Sequence, residues 1–131
     1  MARLTGQPCE PKEISSLGLA FVGDGVYDLI VREKLVCAAN RPVGELNKLK
    51  VDIVRCRAQA ELAGRIEPFL TEEEADVLRR GRNAHVSKAP KSATIAEYHT
   101  ATGFEALLGY LYLSDRTDRI LELLALGKGS G

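Results

Sequence analysis

Apolar residues are densest between Leu17 and Val36, LGLAFVGDGVYDLIVREKLV, where one acidic residue, Asp24, sits between two glycines. As a helix this run carries Leu17, Ala20, Phe21, Val22, Val26, Leu29, Ile30 and Val31 around almost its whole circumference, so it must be covered on several sides. Asp24 is then an anion in a mostly apolar setting, where it takes up a proton unless a cation or hydrogen-bond donors lie close. The same residues also read as two strands joined by an Asp-Gly turn. Two interior glycines each cost a helix about 1 kcal/mol relative to alanine, a cost tolerated where another backbone packs closely. LAFV lacks the alternation of a half-buried strand and the rest of the chain reads as helical, which favours the helix.

Residues 1–13, with Pro8 and Pro11, read as an irregular lead-in, and Pro42 and Gly44 mark a break after the first element. From Glu45 to Ile66, apolar residues at Leu46, Leu49, Ile53, Cys56, Ala60 and Ala63 alternate steps of three and four, which predicts one amphipathic helix. Lys48, Lys50, Arg55 and Arg57 fall on its outer face, ordinarily a solvated one. Pro68 ends this helix, and Thr71 with Glu74 predicts a capping box at the start of the next, which opens acidic and closes on Arg79 and Arg80 as the helix dipole prefers. Between Val77 and Ala96 lie Arg79, Arg80, Arg82, Lys88 and Lys91 with no acid among them. They form either a dipole complement followed by a solvated loop, or a phosphate-contacting surface. A last large helix runs from Thr94 to Leu113, its core stripe being Phe104, Leu107, Leu108 and Leu111. Glu105 shares its face with Ala101, Leu108 and Tyr112, which makes it a second misplaced carboxylate. A short helix from Thr117 to Leu126 and a flexible tail, residues 127–131, complete an all-α reading without internal repeats, with one folded domain over residues 14–126.

Composition narrows the function. At 131 residues, 45% hydrophobic and 27% charged, the chain has the profile of one globular domain. Its zero formal charge means that a nucleic-acid partner would be met by a local basic patch. Cys9, Cys37 and Cys56 form no C-x-x-C pair, and His85 and His99 have no metal-ligand spacing, which fits a reducing cytosol without a zinc knuckle. The first residues lack a signal-peptide core, and the Leu17–Val36 run contains two Asp and is too short to span a bilayer. The chain therefore reads as cytoplasmic, with no membrane partner.

Two acids embedded in two apolar helices have a common explanation if the helices cross: Asp24 and Glu105 meet and hold a hard cation. Mg²⁺ fits, since it commonly takes only one or two protein carboxylates. Separate structural roles for the two acids are the alternative.

Three stretches in order, LAFVGDGVYD (Leu19 to Asp28), LTEEEADVLRRGRNA (Leu70 to Ala84) and FEALLGYLYL (Phe104 to Leu113), resemble the ribonuclease III superfamily and its short bacterial branch, the Mini-ribonucleases III. The resemblance covers the chain from about Ser15 to Leu126. It implies an all-helical endonuclease domain acting as a homodimer, with the Leu17–Val36 helix at the symmetric interface. It places the family's metal-binding Asp on Asp24 and its metal-binding Glu on Glu105, as catalytic and metal ligands alike. Two further carboxylates of the full-length relatives fall on Ala20 and Thr102, a loss the short branch shares, and the relatives' double-stranded-RNA-binding domain has no room here. The implied activity is Mg²⁺-assisted hydrolysis of double-stranded RNA to 5′-phosphate and 3′-hydroxyl ends, with precursor 23S ribosomal RNA as the substrate and no organic cofactor. RNA contact is expected first from the loop carrying Arg79, Arg80, Arg82, Lys88 and Lys91, then from Arg55 and Arg57. The competing expectation is a catalytically inactive helical dimer that binds duplex RNA or a ribosomal component; it draws on the missing carboxylates at Ala20 and Thr102.

Overall fold

Residues 17–36, open to two readings on sequence, form a helix with Gly23 and Gly25 in its interior. A computed structural model describes residues 3–84 and 93–128, and no strand forms among them. Their helices are α1 (Ser16–Ala38), α2 (Val43–Val54), α3 (Cys56–Ile66), α4 (Glu72–Arg82), α5 (Ile95–Leu113) and α6 (Thr117–Gly127). None of these helices is long and apolar enough to cross a membrane.

The organising element is α5 rather than α1. Every residue of α5 from Ala101 to Leu111 is buried except Glu105, and Phe104, Leu107, Leu108 and Leu111 have no exposed surface. α1, α3, α4 and α6 all pack on α5, and Phe104 meets Tyr27 of α1 with the two rings nearly perpendicular and their centroids 5.1 Å apart. Small residues permit two of these crossings. A Cβ on Gly81 of α4 would stand 2.8 Å from the Gly103 Cα of α5, so the two backbones touch there. The Gly23–Gly109 crossing of α1 and α5 is closer still and is taken up with the site.

α1 is less covered than its composition implies. Leu19, Ala20, Gly23, Tyr27 and Val31 face inward, but Leu17, Phe21 and Leu29 are exposed, Phe21 to 84%. An apolar groove of about 340 Å³ runs between α1 and α6, lined by Val22, Val26, Leu29, Ile30, Tyr112 and Leu121.

The single helix expected from Glu45 to Ile66 is two. Arg55 leaves the helical conformation (φ −65°, ψ 155°), ending α2 and starting α3. The apolar stripe continues through the break, so periodicity gives no warning. α2 docks on α1, with Lys50 3.4 Å from Asp28 rather than on a solvated face, while α3 docks on α5 and α6. The Val54 carbonyl freed at the joint accepts a 2.7 Å hydrogen bond from the Gln59 amide.

The Thr71–Glu74 capping box forms as expected, and a second one, Thr94–Glu97, starts α5. Glu74 is also 98% buried: both its oxygens accept from Arg119 of α6 at 2.8 Å. Those hydrogen bonds hold the Glu74 carboxyl below its ordinary range against the opposing effect of burial. Tyr110 and Arg116 both donate to Glu73 at 2.9 Å, so α4, α5 and α6 are pinned together on this side.

Candidate active site

The site begins with backbone contact. A Cβ on Gly23 would lie 1.7 Å from the Glu105 carbonyl oxygen, and one on Gly109 would lie 1.9 Å from the Leu19 carbonyl oxygen. α1 and α5 can approach this closely only because both positions are glycine. Asp24 follows Gly23 directly and Glu105 precedes Gly109 by one helical turn, so the crossing brings the two carboxyl groups together. Gly25 has nothing within 4 Å of where a Cβ would stand, so no contact among the described residues requires it.

Asp24 is exposed in the single chain, contrary to its expected burial, because no described residue covers the α1 face beyond the crossing. Glu105 is the partly buried member. Burial, then the hydrogen-bonding and charge of Asp24, raise its pKa to about 8, while hydrogen bonding from Gln59 opposes the shift. Two like carboxylates at one point do not both ionise readily, and a cation between them removes the conflict. Cys56 borders the same site; its own burial and then the charge of Glu105 push its thiol upward, so it stays protonated at neutral pH.

The donor set fits a small hard cation. Asp24 and Glu105 offer carboxylate oxygens from facing helices, and no third His, Cys, Asp or Glu joins them among the described residues. One or two carboxylates completed by water is the usual protein share of a Mg²⁺ shell. Ala20 and Thr102 are buried and add no acid, and the Thr102 hydroxyl donates to the Tyr98 carbonyl at 2.9 Å.

The basic residues are dispersed. Arg79, Arg80 and Arg82 belong to the last turn of α4 rather than to a loop. Arg79 and Arg80 both pair with Asp76, an acid one turn upstream, and Arg82 lies 3.9 Å from Glu67. Lys88 and Lys91 lie outside the described residues. Arg57 pairs with Glu61 at 3.4 Å and approaches Glu97 at 4.0 Å. Arg55, at the exposed joint between α2 and α3, makes no ion pair among the described residues. Gln59 is the site residue that pattern reading missed. Its signal was there: a polar side chain on the inward stripe between Cys56 and Ala63.

Comparison with known proteins gives the family. The ribonuclease III domain family model matches residues 17–116. A Mini-ribonuclease 3 from a Thermoanaerobacter species is 49% identical over 86% of this chain and 80% of its own length. Another, from Symbiobacterium thermophilum, is 46% identical over 87% of this chain and 88% of its own length. A crystal structure of a protein from Fusobacterium nucleatum is similar with a TM-score of 0.82 and 29% identity, covering 88% of this chain and 92% of that one. The chain belongs to the ribonuclease III family, in its Mini-ribonuclease 3 branch, and is an endoribonuclease.

Proposed function

We propose that this chain is a Mg²⁺-dependent endonuclease for double-stranded RNA, working in the cytoplasm as a homodimer on precursor 23S ribosomal RNA. The observation that carries the reading is the Gly23–Gly109 crossing, which sets Asp24 against Glu105 with few other ligands near. Asp24 and Glu105 would hold the cation, which when bound supplies the positive charge that acidifies a water and steadies the scissile phosphate. Glu105, its backbone fixed in the core helix, sets the position of the carboxylate pair. Asp24, exposed, faces the side from which a duplex can approach. Recognition rests on phosphates and shape, because an RNA duplex presents no readable major groove to side chains. A cleavage assay on a precursor 23S stem, with product ends mapped, tests this: 5′-phosphate and 3′-hydroxyl ends are expected, and an intact stem with Mg²⁺ present would refute it.

The exposed apolar face of α1 supports the dimer. A continuous groove beside Phe21 and Leu29 is larger than isolated surface hydrophobics explain. The wild type should therefore sediment as a dimer at micromolar concentration, and Phe21→Glu should shift it to monomer. A wild-type monomer under those conditions would remove the dimer from the account.

Arg79, Arg80, Arg82, Lys88 and Lys91 remain the proposed phosphate contacts, with Arg55 and Arg57 next. Pairing with Asp76 does not remove Arg79 and Arg80, since exposed ion pairs exchange at little cost. In the Asp24→Asn background, replacing Arg79, Arg82 and Lys88 by Ala should flatten the dependence of log affinity on log salt by roughly two units. An unchanged slope would move the footprint to Arg55 and Arg57.

A further inference from the structure

Gln59 is 97% buried on a face of α3 otherwise made of Leu62, Ala63 and Ile66. Its Nε2 donates to the Val54 carbonyl at 2.7 Å, which fixes the orientation of the amide. The same side chain reaches Glu105 from the α3 side, opposing what Asp24 does from α1. That leaves Oε1, the one buried side-chain oxygen without a hydrogen-bond partner among the described residues. An orphaned buried acceptor gives up its hydration without compensation, and a Leu or Met of similar size would avoid that. A partner for Oε1 would be a donor, and the amide reaches the Glu105 carboxylate, at which a hydrated cation would bind. Mg²⁺ keeps several of its waters, and those waters are strong donors.

We propose that Gln59 is a positioning residue of the cation site: Nε2 ties the α2–α3 joint to the Glu105 carboxylate, and Oε1 accepts from a water carried by the cation. The site then gathers oxygens from α1, α3 and α5, with a neutral amide beside the two acids. This rests on the reading of Asp24 and Glu105 as the cation ligands. Partners of this kind orient the ligands of a metal, and their loss typically weakens metal affinity or activity about 10–100-fold.

The test is Mn²⁺ affinity by calorimetry on the full chain, for wild type, Asp24→Asn, Gln59→Met and Gln59→Glu, with thermal unfolding of each in chelator. Gln59→Met should weaken Mn²⁺ binding about 10–100-fold, and added Mn²⁺ should recover much of its cleavage. Gln59→Glu keeps an oxygen at the same reach and should bind Mn²⁺ at least as tightly as Gln59→Met. A Gln59→Met protein that melts lower in chelator yet binds Mn²⁺ like wild type would make the amide purely structural and overturn the proposal. If Gln59→Met does not fold, the proposal stands or falls with Gln59→Glu, and weaker Mn²⁺ binding than in Asp24→Asn would overturn it. If wild type and Asp24→Asn bind Mn²⁺ equally, the assignment of the carboxylates fails, and the role of Gln59 fails with it.

Discussion

Asp24→Asn and Glu105→Gln should each reduce cleavage of duplex RNA on the order of 10³-fold or more, since each removes a ligand from an interaction contributing several kcal/mol to transition-state stabilisation. Both changes keep shape, so circular dichroism should report an unaltered helical fold. For Glu105 a second consequence follows from linkage. Its pKa in the folded, metal-free chain is about 8 against an ordinary 4.5. A carboxyl with a raised folded pKa favours the folded state fully below its ordinary pKa, and that contribution is lost as pH rises through the folded value. Wild type in chelator should therefore lose stability between about pH 4.5 and about pH 8. Glu105→Gln lacks this loss. The melting-temperature difference, variant minus wild type, should widen across that window, and thermal scans in chelator at its two ends measure it. A flat difference would mean that Asp24 and burial do not act on Glu105 as the structure indicates. Near wild-type cleavage by either variant would remove that residue from the site.

The second large effect belongs to the crossing itself. Gly23→Ala places a methyl group 1.7 Å from the Glu105 carbonyl oxygen and 2.8 Å from the Gly109 nitrogen. Both are backbone atoms of the core helix, so no side chain can swing aside and the helices must part. Overpacking of this kind costs about 1–3 kcal/mol and sometimes more, while the helix-propensity gain of alanine returns at most about 1 kcal/mol. Gly109→Ala meets the Leu19 carbonyl oxygen at 1.9 Å and should behave alike. Gly25→Ala has open space around it and should stabilise the single chain by up to about 1 kcal/mol. Urea midpoints for the three variants, with cleavage rates alongside, check this. A Gly23→Ala protein as stable as Gly25→Ala would show that the close crossing is not what holds the carboxylates together.

These contrasts mark how far the sequence could be read. The two Gly neighbours of Asp24 look equivalent in GDG, yet one meets a backbone and the other meets nothing, because which side of α1 faces α5 is a tertiary fact. The Thr71–Glu74 cap was legible because a capping box is local chemistry. The Arg55 break was not: no Pro or Gly marks it, and it arises where α2 follows α1 while α3 follows α5. Asp24 reads as buried from its apolar neighbours, but Phe21, one turn before it, faces outward in the single chain while Ala20 and Tyr27 face inward. An apolar helix can be covered by its own chain or left to another surface: α1 is left partly open, whereas α5 is buried from Ala101 to Leu111 except at Glu105. The two acids were legible as misplaced residues. Gln59 was passed over because a lone amide on an inward stripe carries no charge to draw notice.

The claim on which the account turns is that Asp24 and Glu105 jointly hold the cation that cuts RNA. Anomalous diffraction from crystals soaked in Mn²⁺ tests it most directly, because it locates the ion independently of any activity. An anomalous peak is expected between the Asp24 and Glu105 carboxylates. Anomalous density elsewhere, with both carboxylates free of it in a protein that still cleaves duplex RNA, would contradict it.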